Sequence, residues 1–146
     1  MPAVPDLGLD WVLTHPWAYP ALEIVHIAGI ALLFGNLALF ELRIWGLGTS
    51  LPAEPLARLA LPLALTGFAM AAASGLAMFA AQPLELLTNP AFGVKMGLLM
   101  VAGTNAAVFH ARGSVRRLDR VARAQGLLSI VLWIAVIATG RLIAYL

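Results

Sequence analysis

Four apolar runs, about residues 21–46, 57–81, 91–111 and 123–146, take up most of this chain of 146 residues. A bilayer has a hydrocarbon core about 30 Å thick, which a helix crosses with about 20 mostly apolar residues at about 1.5 Å each. Each run is long enough. Composition agrees: 62% of the residues are hydrophobic and 11% charged, against roughly 45–50% and about 25% in soluble domains. The connections are short, so neighbouring helices should be antiparallel. The sequence therefore predicts an all-α, four-helix transmembrane bundle, a single membrane domain over 1–146 with the runs as its helices.

The isoelectric point of about 9.7 rests on a net charge of only +2, and the position of the charge matters more than its size. Arg43 and Arg58 flank the first connection, and Arg112, Arg116, Arg117, Arg120 and Arg123 surround the third; Lys95 and Arg141 lie toward the other side. The positive-inside rule makes both arginine-bearing connections cytoplasmic. The N-terminus, the 82–90 loop and the C-terminus are then expected outside, in a bacterial inner membrane. The arginines would also attract anionic membrane lipids, and no stacking or groove-reading module suggests nucleic acid. The absence of cysteine excludes disulfides, thiolate metal sites, iron–sulfur clusters and covalent haem attachment.

The first twenty residues hold Asp6 and Asp10 and neither Lys nor Arg. They lack the basic region of a cleavable signal, so the first helix is expected to insert uncleaved. In "LDWVLTHPWAYP" the rings of Trp11, Trp17 and Tyr19 favour the headgroup level, and Pro16 and Pro20 argue against a continuous helix. Asn89 and Pro90 read as the cap and first turn of the third helix. Gly67, Ala71 and Gly75, spaced by four with Ser74 beside them, predict close helix packing for the second helix. The third helix adds Gly93, Gly97 and Gly103.

Chemistry can enter only through the few polar residues. On a helical wheel Glu23, His26, Asn36 and Glu41 share one half of the first helix with Gly29. Such groups normally turn inward, because exposing one to lipid costs at least about 2.5–3.5 kcal/mol. Glu41 and Arg43 read as the inner boundary, and Asn36 as glue between helices. His26 and His110 differ in depth by roughly 18 Å at about 1.5 Å per residue, too far to share one ion within a chain.

The companions expected at the depth of His26 are Ser74 and Met78 on the second helix, Lys95, Met96 and Met100 on the third, Arg141 on the fourth, and His15 if the N-terminal segment folds back. A b-type haem would use His26 axially, with Met or His15 opposite, glycines such as Gly29 admitting the ring, and Lys95 or Arg141 neutralising propionates. A copper site would use His26 with Met78, Met96 or Met100. Plainer readings stand beside these. His26 can be a packing residue paired with Glu23, the methionines core filler, and Lys95 a side chain that snorkels outward. Arg141 can reach headgroups or pair with Glu23. Hydrolase and ATPase motifs are absent, and enzymatic activity is left open.

At "WAYPALEIVHIAGIALLFGNLALFELRIWG" and "GRLIAYL" the chain resembles a family of small bacterial four-span membrane proteins without an assigned activity. The matching residues are Tyr19, Pro20, His26, Gly29, Gly35, Glu41, Arg43, Gly140 and Arg141. More distantly, "NPAFGVKMGLLMVAGTNAAVFHARG" is similar to a helix of copper-resistance D-type and protoporphyrinogen oxidase-type membrane domains, where a Gly-x-x-Leu/x-Lys element begins a helix. A full set of copper ligands and a second haem ligand have no match here. The leading expectation is a small b-type cytochrome-like electron-transfer protein holding haem near the outer face, with a quinone or periplasmic redox partner. Copper handling is the alternative, and a cofactor-free accessory subunit of a membrane complex a third. A homodimer could supply a missing ligand.

Overall fold

The computed structural model describes residues 8–146, and its regular elements are all helices. Asp6 lies outside the described residues. The chain runs through α1 (Asp10–Thr14), α2 (Ala18–Ile44), α3 (Ala53–Ala81), α4 (Pro83–Thr88), α5 (Pro90–Ala111), α6 (Ser114–Arg117) and α7 (Arg120–Leu142). The four long helices are each long and apolar enough to cross a membrane. A helix suits that setting because it satisfies its backbone polar groups within the segment.

The helix boundaries follow local chemistry. The expected break falls between α1 and α2, at His15–Trp17 around Pro16. Pro20 does not interrupt α2: it sits in the first turn, where the missing N–H would have had no acceptor. The helix therefore begins at Ala18 rather than 21. Pro55 is accommodated in the same way in α3, which starts at Ala53 rather than 57. Asn89 caps α5 as expected, its side-chain oxygen accepting from the backbone of Ala91 at 2.9 Å and Phe92 at 3.4 Å. Asp119 does the same for α7, accepting from Ala122 at 2.9 Å. Each such cap contributes about 1 kcal/mol. The last helix stops at Leu142, short of the 146 expected, and residues 143–145 form turns.

The bundle is built from two antiparallel hairpins, α2 with α3 and α5 with α7, joined by a smaller contact of α2 on α7. On α3 the buried positions up to Ser74 are Ala53, Ala57, Ala60, Ala64, Gly67, Ala71 and Ser74 itself, with Ala81 seven residues further on. They alternate in steps of four and three, the spacing of a coiled-coil seam, where the sequence suggested steps of four. On α2 the larger Leu33, Phe40 and Ile44 fill the facing positions around Gly29. The helices cross most closely where the two glycines meet. A Cβ on Gly67 would stand 2.5 Å from the Gly29 carbonyl oxygen and 2.5 Å from the Leu33 nitrogen. With no hydrophobic drive between helices in lipid, such backbone contact supplies the association energy.

The best-packed core lies toward the arginine-bearing connections, where Phe40, Ile44, Ala57, Ala60, Phe109 and Ala122 cluster. Phe40 and Phe109 meet edge to face at 6.1 Å, and near the opposite end Phe79 stacks on Phe92 at 5.6 Å. Polar groups lock the arginine-rich end. Arg43 donates to the Leu51 carbonyl at 2.6 Å, Arg116 pairs with Glu54 at 3.3 Å, and Arg112 grips the Asp119 carboxylate with both terminal nitrogens.

Asp119 lies between the membrane-crossing helices, and its hydrogen bond with Arg112, seconded by the Ala122 backbone, lowers its pKa to about 2. A depressed folded-state value makes this grip fully present above the ordinary 3.8 and lost as pH falls toward about 2. In carbon NMR of the side-chain carboxyl we expect a midpoint near 2 that returns toward 3.8 in Arg112→Gln. An unchanged midpoint in the variant would remove Arg112 as the cause.

Candidate functional site

His26 projects from α2 against α3 and is half-buried. Its Nδ1 lies 2.8 Å from the Ala71 carbonyl oxygen and 3.2 Å from the Ser74 hydroxyl. A carbonyl only accepts, so Nδ1 carries the proton. Ser74 donates its own proton to the Met70 carbonyl at 2.7 Å, which leaves its oxygen free to accept from the imidazole as well. In the neutral ring Nε2 is then the nitrogen with the open lone pair, and it makes no hydrogen bond among the described residues. Gly75 makes the slot for the ring: a Cβ there would come within 3.2 Å of the His26 Cε1.

Lys95 of α5 is the second member. Its side chain lies across α7 two residues before the end of that helix, where a Cβ on Gly140 would meet Nζ at 3.1 Å. From there its charge reaches the His26 ring. The structure thus brings together His26, Ser74 and Gly75 as an oriented nitrogen donor, with the Lys95 charge within electrostatic reach.

The other residues expected at this depth are placed elsewhere. Gly29 is consumed by the α2–α3 crossing, since a Cβ on it would touch the Ala71 nitrogen and the Gly67 oxygen at 2.7 Å, so it opens no slot for a flat ring. Met96 and Met100 are exposed, Met100 by 74%, while Met78 is half-buried. Arg141 turns to the C-terminal end, donating to the Tyr145 hydroxyl at 2.8 Å with its guanidinium 5.1 Å from that ring. The Glu23–Arg141 pair is not formed, and Glu23 is exposed. His15 accepts from the Trp17 backbone at 3.3 Å and lines an open groove of about 450 Å³ with Trp11, Trp17, Leu22 and Ala77; His26 is not part of that lining. His110 is exposed at the far end of α5 and lies edge-on to Phe109. Among the described residues no group of three or more His, Cys, Asp or Glu is arranged to hold a metal ion.

A second polar region went unrecognised in the sequence. Asn105 donates to the Gln125 carbonyl at 3.0 Å, and Ser114 to the Gln125 side-chain oxygen at 2.8 Å. Arg112 donates to Ser114 at 3.1 Å, tying this group to Asp119. Beside it Trp45 donates to the Arg123 carbonyl at 3.2 Å. Glu41, three residues before the end of α2, is buried here, with Ser129 as its polar neighbour. Asn36 does not bridge helices; it donates to Leu32 of its own helix at 2.7 Å. The available signal was polar residues recurring within apolar helices at one end.

The arrangement is that of a four-helix protein suited to a membrane, with one oriented imidazole near the end where α2 begins and α7 finishes. No protein family, curated protein or solved structure matches this chain.

Proposed function

We propose that this chain is a small b-type cytochrome-like protein of a bacterial inner membrane, in which His26 offers Nε2 as an axial ligand to haem near the outer face. The observation that carries the reading is the bond from Nδ1 to the Ala71 carbonyl at 2.8 Å. Histidines that ligate metals typically donate their other nitrogen to a carbonyl or carboxylate, which fixes ring orientation and leaves the ligating lone pair exposed. Lys95 supplies a positive charge for a propionate. The thioethers of Met96 and Met100 and the imidazole of His15 do not join His26 within one chain, so a second axial ligand would be Met78 or would come from another copy, in a homodimer. Bound haem would supply one-electron chemistry; the protein would orient it and pass electrons to or from a quinone or a periplasmic partner. The seven arginines at one end support both termini lying outside.

The test is an absorption spectrum of mildly solubilised protein together with a pyridine hemochrome assay. A Soret band with stoichiometric haem is expected, and its absence after expression with ample haem refutes the proposal. Copper at stoichiometry without a Soret band would instead favour the copper-handling alternative, with His26 and the half-buried Met78 as ligands. An accessory-subunit reading draws on α5, where Gly93, Gly97 and Gly103 are exposed with nothing within 4 Å of their would-be side chains. It predicts neither metal nor colour, and co-purification with a membrane partner.

A further inference from the structure

Glu41 is 4% exposed, three residues before the end of α2 at Ile44. Its Oε2 is fully buried and has no hydrogen-bond partner among the described residues. The carboxyl faces α7 where Gly126 thins that helix: a Cβ on Gly126 would stand 3.6 Å from the Glu41 Cγ and 3.3 Å from the Trp45 indole nitrogen. Ser129 is its polar neighbour on α7.

No cation answers this carboxyl. Arg43, two residues along α2, is committed to the Leu51 carbonyl at 2.6 Å. On α3, Glu54 and Arg58 are exposed and face each other at 3.9 Å. On α5, His110 is exposed, and on α7 so are Arg120 and Arg123. A buried carboxylate left ionised without a partner is costly, whereas the neutral acid loses far less on leaving water. A metal cation would need several oxygen ligands. The nearby Arg123 and Gln125 carbonyls already accept from Trp45 at 3.2 Å and Asn105 at 3.0 Å.

We propose that Glu41 is a proton-binding site, which takes its proton from, and returns it to, the aqueous phase at the arginine-rich end of the bundle. The helix end is roughly 5 Å away at about 1.5 Å per residue, a short path to water. The site is independent of the reading of His26, which lies fifteen residues back along α2, roughly 22 Å at the same rise.

Infrared difference spectroscopy of the full chain in proteoliposomes, wild type against Glu41→Gln, tests this directly. At neutral pH a carboxylic C=O band should be present in wild type and missing from the variant. It should shift in deuterated water and disappear as the pH is raised. A hydrophobic carbodiimide, which adds to protonated carboxyl groups, should label Glu41 and leave the exposed Glu23, Glu54 and Glu85 unmodified. The amide is nearly isosteric, and an unchanged near-ultraviolet circular dichroism spectrum checks that the variant folds. If the variant does not fold, site-specific labelling of wild type with its pH dependence decides alone. Absence of the band at neutral pH, persistence of the band in the folded variant, or failure to exchange with deuterium overturns the proposal. Loss of band and labelling on adding sodium overturns it in favour of a cation site.

Discussion

Gly67→Ala should lower the stability of the bundle by about 1–3 kcal/mol, the usual cost of forcing an extra carbon into a packed core. The added methyl would stand 2.5 Å from two backbone atoms of α2, the Gly29 oxygen and the Leu33 nitrogen, and backbone cannot swing aside as a side chain can. The helices would have to separate, losing the close contact that holds them in lipid. Gly67→Leu should prevent the α2–α3 hairpin from closing. Gly97→Ala is the matched control: nothing lies within 4 Å of its would-be side chain, so helix propensity alone acts and the variant should be neutral or slightly more stable. Reversible unfolding in mixed micelles, followed by far-ultraviolet circular dichroism, measures both. Equal losses at the two positions would show that the crossing does not depend on Gly67.

His26→Ala should reduce bound haem at least tenfold, to background, if the proposed ligation holds, because no other imidazole lies at its slot. His110→Ala and His15→Ala should leave haem content unchanged, since the first is exposed at the opposite end and the second is turned to the Trp17 backbone. Ser74→Ala removes the lesser partner of Nδ1 and keeps the Ala71 carbonyl, so its effect should be intermediate; losses of such outer partners typically cost about 10–100-fold in affinity. Gly75→Ala presses on the ring, with a Cβ 3.2 Å from Cε1, and should weaken binding without removing the ligand. Haem quantified by pyridine hemochrome across these variants orders them. Full retention in His26→Ala would dismiss His26 as the ligand.

Much of the fold could be read along the chain because its causes are local. Four runs long enough to cross a bilayer, the break at Pro16 and the cap at Asn89 each depend on a few consecutive residues. The boundary errors are local as well: Pro20 reads as a breaker and the second run is started at 57, past Pro55, yet a first turn has no use for the missing donor. The site was legible only in part. Ser74 was expected near His26 from depth alone and hydrogen-bonds it; Lys95 was expected at the same depth and reaches across to Gly140 of α7. Depth says nothing about direction around a helix, and so it also recruited Met96, Met100 and Arg141, which face away.

Glu23 and Glu41 mark where reading the sequence stops. They are eighteen residues apart on α2, five full turns at 3.6 residues per turn, and so occupy the same angle on a wheel. The structure exposes the first and buries the second. The sequence by itself determined four apolar helices, the cap at Asn89 and the arginine-rich end, because hydropathy, capping and charge belong to single segments. Tertiary structure decided which helix stands opposite each residue: α7 closes over Glu41 where Gly126 lets it approach, α3 presents the Ala71 carbonyl to His26, and Gly29 is spent on the crossing with Gly67. Those outcomes depend on pairs of surfaces far apart in the chain, and no property of one segment encodes them.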